Sequence, residues 1–161
     1  MTTADSAARA TLDLEHFLPY RLSVLSNRVS QVIANAYAER FDLAITEWRV
    51  IAILGRHPGI SANGVAERTA MDKVAVSRAI ARLLERGLVQ RDIHGDDRRR
   101  SVLELSEAGY RIYDEVVPVA LGYERRLLVS LDPVEAAALD RAIDKLMSAV
   151  ARIVDEDALP G

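Results

Sequence analysis

The chain contains no cysteine, which removes disulfides, thiolate catalysis and thiol-based redox sensing from consideration. Aromatic residues make up only 5% of it, few for a sandwich or barrel core, and glycine (8) and proline (5) are scarce. The apolar half comes instead from Leu, Ala, Val and Ile, a mixture that favours helices and can form a core. No apolar run reaches the ~20 residues needed to cross a bilayer, and Met1 to Ala10 lacks the apolar centre of a signal peptide. The expectation is a cytoplasmic protein with no membrane partner. The three histidines, His16, His57 and His94, are dispersed, and none has metal-ligand spacing. There is no glycine-rich phosphate loop and no nucleophile elbow. Paired acids such as Asp96-Asp97 and Asp155-Glu156-Asp157 lie in a loop and a tail, where solvated charge is the default. Catalytic residues, cofactors and metals are therefore not expected.

The net charge of −3 hides an uneven distribution. Between Arg68 and Arg100 there are nine basic residues and five acidic ones, a local +4 that leaves −7 for the remainder. A basic segment inside an acidic chain suggests a local anionic partner. A solvated, arginine-rich helix face accounts equally well for the charge alone.

Periodicity supplies the organisation. Leu18, Leu22, Leu25, Val29, Val32 and Ala36 step by fours and threes, which predicts a helix over Leu18 to Tyr37 with a coiled-coil-like seam. A shorter helix is expected over Thr46 to His57, capped by Thr46 and ended near Pro58-Gly59. Ser61 can cap a short helix through Thr69, and Asp72 a longer one ending at Gly87, which together make a helix-turn-helix pattern. Val65, Ala66, Met71, Val76, Ile80, Leu83 and Leu84 would lock that pair. After Gly87 the period changes to alternation in Leu88 to Ile93 and again in Ser101 to Leu105, separated by the polar run His94 to Arg100. This predicts a two-stranded hairpin with a charged tip, too small to stand alone. Ser106 opens a helix to about Ser130 that Pro118 should kink rather than end. Asp132-Pro133-Val134-Glu135 opens a last helix whose seam is Leu139, Ile143, Leu146, Val150 and Ile153.

The fold class expected is thus mainly α with a small β-hairpin wing: a winged helix-turn-helix at 46–105, flanked by helical dimerisation segments at 11–45 and 106–154. The terminal seams have too little partner within one chain, which implies a homodimer; an intramolecular helical bundle is the alternative.

Two stretches, MDKVAVSRAIARLLERGLVQR (Met71 to Arg91) and DDRRRSVLELSEAG (Asp96 to Gly109), occur in this order with long helices on either side. In this the chain resembles the MarR family of winged helix-turn-helix transcription regulators, over nearly its whole length from Leu14 to Val150. The family pattern of acid, any residue, arginine at the wing is matched by Asp97-Arg98-Arg99. One departure is Ala70, where such turns often carry glycine; alanine fits if φ stays negative.

The resemblance implies binding to double-stranded DNA as a homodimer on a pseudo-palindrome, with repression as the family's usual mode. On the Asp72-capped helix, Lys73, Val74, Ala75, Ser77 and Arg78 stand in the N-terminal half that reaches base edges in a major groove. Arg78 has the fork that reads guanine, or it clamps a phosphate without reading; Val74 and Ala75 suit a thymine methyl. Arg82 and Arg86 lie farther along, where phosphate contacts or local ion pairs are expected. At the wing, Arg98, Arg99 and Arg100 suit a narrow A·T-rich minor groove. The family register inserts Arg99 and lets Asp97 orient it, with Arg98 or Arg100 as alternatives one residue away. The resemblance also implies a pocket for a small aromatic or anionic effector, for which His16, Phe17, Tyr20, Arg21, Trp48 and Arg49 are the candidates. For Trp48 a core role is the competing reading. A winged-helix adaptor that binds protein and not DNA is the rival function.

Overall fold

The computed structural model describes residues 11–93 and 101–157. Its elements run α1 (Leu18–Phe41), α2 (Ile45–Arg56), α3 (Ala62–Thr69), α4 (Lys73–Glu85), β1 (Val89–Ile93), β2 (Ser101–Leu105), α5 (Glu107–Leu128) and α6 (Pro133–Asp157). The chain divides between Val117 and Pro118 into two compact units, so α5 begins in the first and ends in the second.

The first unit is built on the apolar stripes of α2, α3 and α4. Val76, Ala79, Ile80 and Leu83 recur at helical spacing on α4 and share one core with Val50, Ile51 and Leu54 of α2 and Val65 and Ala66 of α3. Met71 and Leu84, expected to help lock the pair, lie partly buried against that core. The hairpin is antiparallel, with Val89 opposite Leu105 and Ile93 opposite Ser101. It does not stand alone. Leu103 donates its N–H to Ile60 O at 2.8 Å and accepts from Gly59 N at 3.0 Å, while Val89, Leu103 and Leu105 are buried in the helical core. The wing tip, 94–100, lies outside the described residues.

The expected caps are present at four helices, α5 among them, where Ser106 Oγ accepts from Gly109 N at 3.1 Å. Ser61 Oγ accepts from Gly64 N at 3.1 Å, and Asp72 Oδ1 accepts from Val74 N at 3.0 Å and Ala75 N at 2.9 Å. At α6, Asp132 Oδ1 accepts from Val134 N and Glu135 N, and Glu135 Oε2 accepts in return from Asp132 N at 2.9 Å. Thr46 is not a cap. The second helix begins one residue earlier at Ile45, its N-cap is Ala44, and Glu47 Oε2 accepts the Ala44 N–H at 2.9 Å in place of a side-chain cap. Pro118 lies inside α5, which continues through it to Leu128.

Ala70 overturns the expectation of a negative φ. It ends α3 in the left-handed region at φ 52° and ψ 30°, a conformation in which Cβ crowds the following carbonyl. The close succession of α3 and α4 forces this turn on whichever residue occupies it. Ala70→Gly is therefore expected to raise stability by roughly 0.5–1 kcal/mol, less than the full strain because glycine also loosens the unfolded chain. A denaturant midpoint compared with wild type checks this.

The last turns of α1 bury Ala34 and Tyr37 in the winged-helix core, and the first half of α5 buries Gly109 and Val116 there. These segments are part of that core because their inward faces are apolar.

The opposite face of α1 is different. Leu18, Leu22, Leu25 and Val32 remain exposed, at 46 to 53%. In the second unit, α6 has no buried residue, and its seam Leu139, Ile143, Leu146, Val150 and Ile153 is exposed throughout. Among the described residues, no helix is long and apolar enough to cross a membrane.

Candidate nucleic-acid interface

The site is the solvent side of α4. Burial of Val76, Ala79 and Ile80 fixes which way the helix faces, and the residues between them must point outward. Lys73, Val74, Ser77 and Arg78 are exposed and Ala75 is half-buried, so the structure brings all five expected residues to one end of the helix. Val74 is 58% exposed. Asp97, Arg98, Arg99 and Arg100 lie outside the described residues.

The arginines of α4 look alike in sequence, four residues apart at Arg78, Arg82 and Arg86, but the structure divides them. Arg78 has no ion-pair partner among the described residues. Arg82 Nε lies 3.0 Å from Oε1 of Glu47, although its N–H is not aimed to form a hydrogen bond. Arg86 Nη1 stands 3.7 Å from Glu47 Oε2, and its guanidinium donates to Asp42 O at 2.6 Å and Phe41 O at 2.7 Å, closing the C-terminal end of α1. Arg82, expected at a phosphate or in a local ion pair, thus has an internal partner.

Glu47 was not singled out by its sequence context. It is 1% exposed, the one buried charged side chain among the described residues. The signal that marks it is its place three residues after Ala44, the position of a capping-box acid.

A second feature lies between α1 and α2. Ser30, Ile33, Tyr37, Ile45, Trp48 and Arg49 line a cavity of about 110 Å³. Arg49 Nη2 donates to Ser30 Oγ at 3.2 Å, which holds the guanidinium at the cavity wall. Trp48 is half-buried with its ring centroid 5.7 Å from that of Tyr37 and 6.3 Å from that of Tyr113, so it serves the core and the cavity together. Phe17, Tyr20 and Arg21 do not line this cavity: they precede Ser30 by nine or more residues on α1 or its cap, over 13 Å along the axis at ~1.5 Å per residue. His16 instead accompanies Asp13, with Nδ1 2.8 Å from its carboxylate on the exposed surface.

Burial pushes the Tyr37 phenol up to about 12, against the opposing pull of the Arg49 charge. The phenol is neutral in folded and unfolded chains alike below its ordinary value near 10. Above that, only the unfolded chain loses the proton, so stability falls as pH rises until the folded phenol also ionises near 12. The expected loss is about 1 kcal/mol per pH unit in that window. Tyr37→Phe should remove it, read as the difference between the two proteins' denaturant midpoints across the window.

An outward-facing second helix of a helix-turn-helix, capped at its start and followed by a hairpin, defines a winged helix-turn-helix, a class of DNA-binding domain. Residues 41–100 match the sequence profile of the MarR family. The transcriptional regulator HosA of Escherichia coli O157:H7 is 25% identical over 107 residues, covering 66% of this chain and 79% of that protein. A MarR/EmrR family transcriptional regulator from Acinetobacter sp. ADP1 superposes with a TM-score of 0.79 at 26% identity, covering 88% of this chain and 99% of the other. Bordetella bronchiseptica BpsR, whose structure concerns regulation of DNA binding by 6-hydroxynicotinic acid, shares the fold with a TM-score of 0.73 at 22% identity over 86% of this chain and 98% of its own. Residues 41–100 thus match the MarR family model, and along most of its length the chain is similar to transcriptional regulators of that family. Its relatives are regulators, not enzymes.

Proposed function

We propose that this chain is an effector-responsive repressor that binds a pseudo-palindromic operator as a homodimer. The observation that carries the reading is the exposed start of α4, where Lys73, Val74, Ser77 and Arg78 stand together and Arg78 has no internal ion pair among the described residues. Arg78 reads a guanine edge through its two parallel N–H donors, Val74 meets a thymine methyl, and Lys73 and Ser77 contact phosphate or base edges. Arg99 enters the adjacent minor groove with Asp97 orienting it, and Arg98 and Arg100 hold the flanking phosphates.

A second copy covers the seams of α1 and α6. Each is a continuous row of large apolar side chains, and a monomer does not ordinarily leave such rows in water. The two-fold then sets two α4 helices about one DNA turn apart. Sedimentation is expected to give twice the protomer mass.

The α1–α2 cavity supports a small effector. Arg49 supplies a cation for a carboxylate, and Trp48 and Tyr37 supply aromatic walls. At about 110 Å³ it suits one ring at most without rearrangement. Binding there favours one setting of the two α4 helices over another and so releases DNA.

The test is a salt titration of binding to duplex DNA. With several phosphates neutralised per half-site, log affinity should fall against log salt with a slope steeper than about −4. A flat plot would sink the reading and leave the adaptor.

A further inference from the structure

We propose that Glu47 is a positioning residue for DNA recognition: it pairs with Arg82 and Arg86 from within the core, fixing α4 at one angle and keeping Arg82 off phosphate. The proposal rests on the reading of α4 as the DNA-contacting helix.

The argument begins with where the carboxylate sits. Glu47 lies at the start of α2, buried, with Oε2 accepting from Ala44 N at 2.9 Å. Its charge faces two arginines one turn apart on the far half of α4, Arg82 at 3.0 Å and Arg86 at 3.7 Å. Arg86 goes on to the last carbonyls of α1. One carboxylate therefore ties three helix ends to a single point. Burying it is costly unless its partners stay in place, so the tie has essentially one geometry. The apolar contacts of α4 fix its distance from α2 and the face it turns to solvent, and the charge pairs add a constraint on its tilt. The charge clamp lies at the end of α4 away from Lys73, one turn beyond Arg78, so a small tilt there is felt at the reading end.

Arg82 makes the clamp matter for specificity. Its side chain is 59% exposed, on the same helix stripe as Arg78, so a phosphate could claim it. Paired to Glu47 it adds nothing to sequence-independent attraction. Released, it would add a phosphate contact that favours every sequence alike.

The test uses the full chain with two duplexes of equal length, one enriched by the wild type and one scrambled, each titrated across a salt series. Arg82→Gln, at a side chain more than half exposed, is expected to weaken binding to the enriched duplex about tenfold, the loss attending a misplaced base contact. Its affinity for the scrambled duplex and that duplex's salt slope should stay at the wild-type values. Equal weakening on both, with each slope shallower by about one, would make Arg82 a phosphate contact and overturn the proposal. Glu47→Gln keeps the bond to Ala44 N and removes the charge; it should lower the enriched-to-scrambled ratio about tenfold and steepen the scrambled slope by about one. An unchanged ratio in a folded Glu47→Gln protein would overturn it. If that protein does not fold, Arg82→Gln decides alone. A wild type that enriches no duplex defeats the DNA reading itself, and the clamp with it.

Discussion

Replacing Gly109 by alanine is expected to lower the unfolding midpoint by about 10 °C, from a destabilisation of about 3 kcal/mol. Gly109 lies in the first turn of α5, where Ser106 Oγ accepts its N–H at 3.1 Å and the same hydroxyl donates to Gly87 O at 2.6 Å. Ser106 N also donates to Leu88 O at 3.0 Å, so the start of α5 is pressed onto the backbone entering β1. A Cβ on residue 109 would stand 2.1 Å from Leu88 O and 3.1 Å from Leu88 C, both backbone atoms that cannot swing aside. Either α5 lifts from the core that buries Val116, or the hairpin moves from its bond to Ile60; both break packed contacts. Gly122 farther along α5 is the control. A Cβ there meets only Arg125 Nη2 at 3.9 Å, and Gly122→Ala should stabilise by roughly 0.5–1 kcal/mol through helix propensity. Opposite signs for two glycines of one helix, measured by thermal unfolding, would be hard to obtain from composition alone.

The second large effect is on DNA. Arg78→Ala is expected to reduce affinity for the preferred duplex ten- to a hundredfold, the ~1–3 kcal/mol of a bidentate base contact, and to relax preference at one position of each half-site. Its exposed position predicts no loss of fold, since Val76 and Ala79 on either side carry the packing. A uniform loss across all sequences, with a shallower salt slope, would make Arg78 a phosphate clamp instead. The contrast with Arg82 is informative because the two are one turn apart on one helix, and only Arg82 has Glu47 beneath it.

How far the pattern could be read follows from what each signal depends on. The helices, the hairpin and the caps at Ser61, Asp72 and Asp132 were legible because periodicity and capping act within a few residues. The family likeness rested on local runs too, and the matching profile at 41–100 covers the first of them and the start of the second. The exposed face of α4 followed once its buried stripe was known. What escaped depends on approach between distant segments. Glu47 meets Arg82 and Arg86 across some forty residues, and nothing in TEWRV announces a buried charge. The cavity likewise draws Ser30, Ile33 and Tyr37 from the second half of α1. The aromatic and basic residues near its start, Phe17, Tyr20 and Arg21, were grouped with Trp48 and Arg49 by chemistry alone, and the rise of the helix separates them. Ala70 shows the converse: a local rule disfavoured positive φ there, and the helix packing imposes it.

The most direct test of the central claim is selection of duplex DNA from a genomic fragment pool by the purified protein, run beside Arg78→Ala. The account expects the wild type to enrich a short inverted repeat with half-site centres about ten base pairs or a multiple apart, and the variant to lose or blur it. Fragments indistinguishable from the input at moderate salt, with the variant behaving as the wild type, would contradict it.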